Sequence, residues 1–142
     1  MFNEEYVRDF KFYLLGLISF VLGGWELYFS ILNAKSGEPI NILHVVFLAL
    51  GMLGAVFCYM VRFRKAAKWL LGIFYLLQTV FIYSKTFVFK FVASFAFPFH
   101  YFIKNENGIE QTFNNPVGLG VNLFALLMLF FVYKVFNEKS ST

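Results

Sequence analysis

The side chains in this chain with chemistry to offer are Glu26, Ser30, His44, Gln78, Lys85 and Asn122, spread through otherwise apolar runs. A carboxyl such as Glu26 can hold a proton or a cation, and an imidazole such as His44 can donate and accept hydrogen bonds. Lys85 brings a positive charge that can snorkel toward an interface, and Ser30, Gln78 and Asn122 supply hydrogen-bonding groups. Glu26 is the most informative of the set because it sits inside an apolar run, 12–33. A carboxylate at membrane depth is costly unless it is paired, protonated or hydrated. Such a group can gate or couple transport. The plain alternative is interhelical glue, a carboxyl hydrogen-bonded to Ser, Tyr or backbone that fixes register and does nothing else.

The run around Glu26 explains how it could be directed. On a helix, Gly16, Ser19, Gly23, Glu26, Ser30 and Asn33 recur at steps of three and four and share one stripe. The remaining surface is Phe, Leu, Ile, Val and Tyr, which suits lipid, while the Gly/Ser stripe lets a second helix approach closely. The next run, 40–61, carries its own stripe of His44, Leu48, Gly51, Ala55, Cys58 and Arg62. Between them, Ala-Lys-Ser-Gly-Glu-Pro at 34–39 is turn chemistry. Folding the pair about that turn sets Gly16 against Cys58, Ser19 against Ala55, Gly23 against Gly51 and Ser30 against His44, and leaves Glu26 within about one helical turn of His44.

Composition bounds the class. With 142 residues there is room for one domain, and 60% hydrophobic, 23% aromatic and 14% charged residues make an integral membrane protein the expectation. The net charge of +4 comes from basic residues at the ends of apolar runs, with no nucleic-acid motif among them, so no nucleic-acid partner is expected. Cys58 is the single cysteine, which leaves no internal disulfide, CxxC pair or thiolate zinc cluster. The first run is long enough to span and has no small-residue cleavage site behind it, so it is expected to be retained.

Arg62, Arg64, Lys65 and Lys68 form the densest basic cluster, in a short loop that the positive-inside rule makes cytoplasmic. With both termini on that side, eight Lys/Arg (Arg8, Lys11, Arg62, Arg64, Lys65, Lys68, Lys134, Lys139) face in and four (Lys35, Lys85, Lys90, Lys104) face out. One fixed orientation is expected. A third span is expected over 67–85 and a fourth over 117–136, the latter carrying Gly118, Asn122 and Ala125 on one face. The aromatic segment 87–103 has phenylalanines at 87, 89, 91, 95, 97 and 99, a strand-like alternation in which Phe87, Phe91 and Phe95 also stack on a helix. An open strand in lipid would leave backbone groups unsatisfied, which favours a helix in the interface or an extension of the third span, with a fifth span as the other option. Residues 104–116 read as a polar external loop.

The expected fold is therefore an all-α membrane bundle of four spans with an aromatic interfacial segment before the last, in which Gly16, Ser19, Gly23, Gly51, Ala55, Gly118 and Ala125 pack helices and the six chemical residues meet in the outer half. Its location is a membrane, the cell (inner) membrane, crossed several times. In this plan, four short spans with one carboxylate, Glu26, in the first, the chain resembles the small multidrug resistance exporters, departing from their near-balanced dual-topology members in its Lys/Arg bias. No HExxH, nucleophile elbow, Walker loop or carboxylate cluster is present, and no catalytic residue, metal or cofactor is assigned. His44 with His100 as axial haem ligands would need a matched depth that the sequence does not provide. Two functions follow: an oligomeric transporter or channel-like protein built on the Glu26 site, or a non-catalytic membrane subunit docking a larger partner. An enzyme acting on a lipid or quinone between the helices has the least support. The expected partners are the bilayer and either further copies of the chain or a larger membrane protein.

Overall fold

The computed structural model describes residues 4–37, 39–83, 88–89, 91, 98–102 and 118–137. These are mostly helical, in four helices, with a small antiparallel sheet at one end. Helix α1, Glu4–Lys35, has no proline and runs 32 residues, about 48 Å. It stops where Gly37 takes a left-handed φ of 92° and the Ser36 and Gly37 amides fold back onto the carbonyls of Asn33 and Ala34. Helix α2, Ile42–Tyr59, starts at Asn41, whose Oδ1 accepts from the His44 amide at 3.2 Å. Both helices are long and apolar enough to cross a membrane.

A short 3-10 turn, Val61–Phe63, leads into α3, Arg64–Thr79. There the helix ends, six residues short of the expected third span, because Val-Phe-Ile-Tyr favours an extended backbone and finds a partner strand. Strand β1, Val80–Tyr83, pairs with β4, Gly118–Asn122, while β2, Val88–Phe89, flanks β1 and β3, Pro98–Phe102, flanks β4. The strand order is β2-β1-β4-β3. Helix α4, Leu123–Asn137, follows β4 directly.

This corrects the helical expectation for the aromatic segment. Its described parts at 88–89 and 98–102 are strands, each hydrogen-bonded on one side, β2 to β1 and β3 to β4. Likewise Gly118 and Asn122 belong to a strand and not to the face of the fourth helix. Two glycines in Gly-Leu-Gly-Val-Asn weaken a helix there, and pairing on both sides, to β1 and β3, decides for the strand.

The helices pack in chain order, α1 on α2, α2 on α3 and α3 on α4, around fully buried Leu15, Leu48, Leu71, Phe74 and Tyr75. Helix α4 returns to α1 where Phe136 meets the Phe12 ring edge-on at 4.9 Å. At that end Arg64 pairs with Asp9 at 2.8 Å and lies over the Phe12 ring at 4.2 Å, and the Lys68 ammonium donates to Asn137 Oδ1 at 2.9 Å. The start of α1, the basic α2–α3 connection and the end of α4 thus share one end of the bundle. The sheet and the α1–α2 turn occupy the other.

Candidate functional site

Toward the sheet end, Glu26 projects from α1 and His44 from the first turn of α2, and Glu26 Oε1 lies 3.7 Å from His44 Nε2. The side chains retain 29% and 21% of their exposure, so neither is sealed inside the bundle. At this separation, beyond hydrogen-bond distance, a carboxylate and an imidazolium attract as an ion pair, and the gap can be closed by a small side-chain movement.

His44 is held from three directions. Asn41 caps its amide, the Phe91 ring stacks on the imidazole at 6.4 Å with an interplanar angle of 13°, and Phe47 sits at 5.9 Å. Phe47 also contacts Phe91 at 4.9 Å and Phe74 at 4.8 Å, tying the site to the core. The aromatic segment therefore packs against the bundle core at Phe91, where the sequence left an interfacial helix, an extension of the third span or a fifth span open. Beside His44 opens a half-open cleft of about 130 Å³ between the end of α1 and the start of α2, lined by Ser30, Asn33, Pro39, Asn41, His44 and Val45.

Of the six expected site residues, Glu26, Ser30 and His44 come together here. Gln78 does not join the cleft lining: it is buried on α3, and its Nε2 donates to the Phe74 carbonyl at 3.2 Å. Asn122 caps α4, with Oδ1 accepting from the Phe124 and Ala125 amides at 3.1 and 3.4 Å. Lys85 lies outside the described residues, as does the side chain of His100.

The packing glycines divide between two partners. A Cβ on Gly16 would come within 3.0 Å of the Ala55 carbonyl and 3.1 Å of Cys58 Cβ, and one on Gly23 within 3.0 Å of Met52 Cγ. Gly51 faces α3 and not Gly23, since a Cβ there would fall 2.6 Å from Phe74 Cδ2. Ser19 also meets the Tyr75 hydroxyl at 2.7 Å in a buried hydrogen bond between α1 and α3, a contact outside the expected α1–α2 pairing. Tyr75 was legible in principle: it lies three residues before Gln78, on the same face of a helix. Ala55 and Ala125 are fully buried, and Gly118 pairs with Tyr83 and Phe102 in the sheet.

Among the described residues, no three or more His, Cys, Asp or Glu side chains gather as a metal site. Comparison with protein-family models, curated proteins and solved structures gives no match for the chain.

Proposed function

We propose that this is a multi-pass membrane protein, with both termini and the 62–68 loop on the cytoplasmic side, that works as an oligomeric transporter or channel-like protein through Glu26 and His44. The observation that carries the proposal is the 3.7 Å carboxyl–imidazole pair, part-exposed beside a cleft of mixed polar and apolar lining, on a bundle with broad exposed apolar faces. Leu17, Val21, Trp25 and Tyr28 on α1 and Leu126, Leu127, Phe130 and Tyr133 on α4 are all exposed. That is a far broader apolar belt than a soluble monomer carries. Assembly of copies supplies the enclosed volume that one thin bundle lacks.

The test is reconstitution into liposomes loaded with a pH-sensitive dye, with proton flux followed under an imposed potassium diffusion potential. Wild-type protein should conduct above empty vesicles. Glu26→Gln should keep its melting temperature in detergent yet lose the flux. Unchanged flux in Glu26→Gln contradicts the proposal.

A second function, a non-catalytic subunit docking a larger membrane partner, is favoured by one observation: the core of the single bundle is filled by Leu48, Leu71, Phe74 and Tyr75. On that account Glu26→Gln is silent everywhere, and Glu26→Leu weakens assembly by removing a polar partner from His44.

A further inference from the structure

Helices α3 and α4 have 16 and 15 residues, about 24 and 22 Å, short of a hydrocarbon core of about 30 Å. Each is continuous with a strand, α3 with β1 at Thr79–Val80 and α4 with β4 at Asn122–Leu123, and those two strands pair with each other along their length. The helical hairpin is extended by a strand ladder. At about 1.5 Å per helical and 3.3 Å per strand residue, the summed rise is about 30 Å for 69–79 with β1 and about 33 Å for β4 with 123–133, the reach of each composite if the strand follows the helix axis. Trp69 and Tyr133, both strongly exposed, mark the far ends of these apolar stretches, next to Lys68 and Lys134.

The ladder has two unlike faces. Phe81, Gly120 and Asn122 turn inward and are buried, whereas Val80, Ile82 and Leu119 are 37%, 42% and 52% exposed. Ile82 stands opposite Leu119, and Val80 opposite the half-buried Val121, so the outward residues form one apolar patch. That patch continues the exposed line of Ile73 and Leu76 on α3 and of Leu123, Leu126 and Leu127 on α4. β4 is paired to β1 at 118–121 and to β3 along its length, and β1 is paired to β4 along its length and to β2 at Ile82 and Tyr83, so these backbone polar groups run along the sheet. The outward face presents side chains alone.

We propose that the third and fourth membrane crossings are helix–strand composites, and that the Val80–Ile82–Leu119–Val121 face of the sheet lies against lipid acyl chains in the outer leaflet. The inference rests on the membrane reading above and adds to it that the sheet is membrane-embedded and not an external cap. Three things on the molecule argue for acyl chains as the occupant: continuity with the apolar faces of α3 and α4, the match of composite length to bilayer thickness, and the lack of any charged residue in β1 or β4.

The test uses single nitroxide labels at Ile82→Cys and Leu119→Cys in a Cys58→Ala background, in phosphatidylcholine–phosphatidylglycerol liposomes. Collision with dissolved oxygen is compared with collision with a water-soluble nickel chelate. Labels at Leu17→Cys and Leu127→Cys report the helical belt and one at Lys65→Cys reports water. Only variants that keep the parent melting temperature are scored, and Val80→Cys replaces either sheet position that does not. The proposal predicts oxygen-dominated relaxation at the sheet positions, matching Leu17 and Leu127 and opposite to Lys65. Nickel-dominated relaxation at the sheet with oxygen-dominated relaxation at Leu17 and Leu127 overturns the composite spans and leaves the membrane reading standing. Nickel dominance at all positions overturns both.

Discussion

The hydroxyls of Ser19 and Tyr75 meet at 2.7 Å in the fully buried centre of the bundle, joining α1 to α3, helices that are not neighbours in sequence. A buried hydroxyl left without its partner costs about 1–3 kcal/mol, while side-chain hydrogen bonds between membrane helices average nearer 0.6 kcal/mol because the separated helices find other partners. Tyr75→Phe, which keeps the ring and strands Ser19, should therefore lower stability by about 1–2 kcal/mol. Adding Ser19→Ala should recover part of that loss. A double-mutant cycle by thermal unfolding in detergent measures it, and strictly additive effects would show that the bond contributes nothing.

Glycines in α2 and α3 should respond to alanine in opposite directions. Gly51 lies under the Phe74 ring, which is itself packed against Phe47 and Tyr75 and has little room to retreat. Gly51→Ala should cost about 1–3 kcal/mol through overpacking. At Gly72 a Cβ meets nothing within 4 Å, so Gly72→Ala should be neutral or stabilising by up to about 1 kcal/mol, the gain in helix propensity. Melting temperatures of the two variants that move together would count against this packing.

Asp9, Arg64, Lys68 and Asn137 share one end of the bundle, the end that the proposed orientation places in the cytoplasm. In intact cells, an impermeant thiol reagent should label Ser36→Cys, at the α1–α2 turn, and spare Lys65→Cys until the membrane is opened. Both positions are exposed. Labelling of Lys65→Cys with protection of Ser36→Cys would invert the orientation.

How much of this was legible in the sequence follows from the range of the contacts involved. The α1–α2 hairpin is local, with a short turn and a 3.6-residue stripe, and the approach of Glu26 to His44 and of Gly16 to Cys58 was readable from spacing. The sheet was not, because β1, β3 and β4 come from stretches up to about forty residues apart and periodicity reports only one strand at a time. Of the alternating phenylalanines, Phe89 and Phe99 fall in described strands and Phe91 does not, and a strand was disfavoured in the sequence because no partner for its backbone groups was visible there. Gly51 misled for a similar reason: a small residue announces a close approach but not which helix makes it. Asn122 and Gln78 shared an expected depth with Glu26, yet one caps a helix and the other bonds its own helix backbone, both common uses of an amide side chain.

The central claim is that Glu26 and His44 act as one unit, and the most direct measurement is proton flux through reconstituted protein for Glu26→Gln, His44→Gln and the double variant, followed across pH. Residues that work together lose function non-additively. Each single variant is predicted to fall to near the empty-vesicle rate with no remaining pH dependence, and the double variant to be no worse than either. Wild-type flux and an unaltered pH profile in Glu26→Gln would contradict the account.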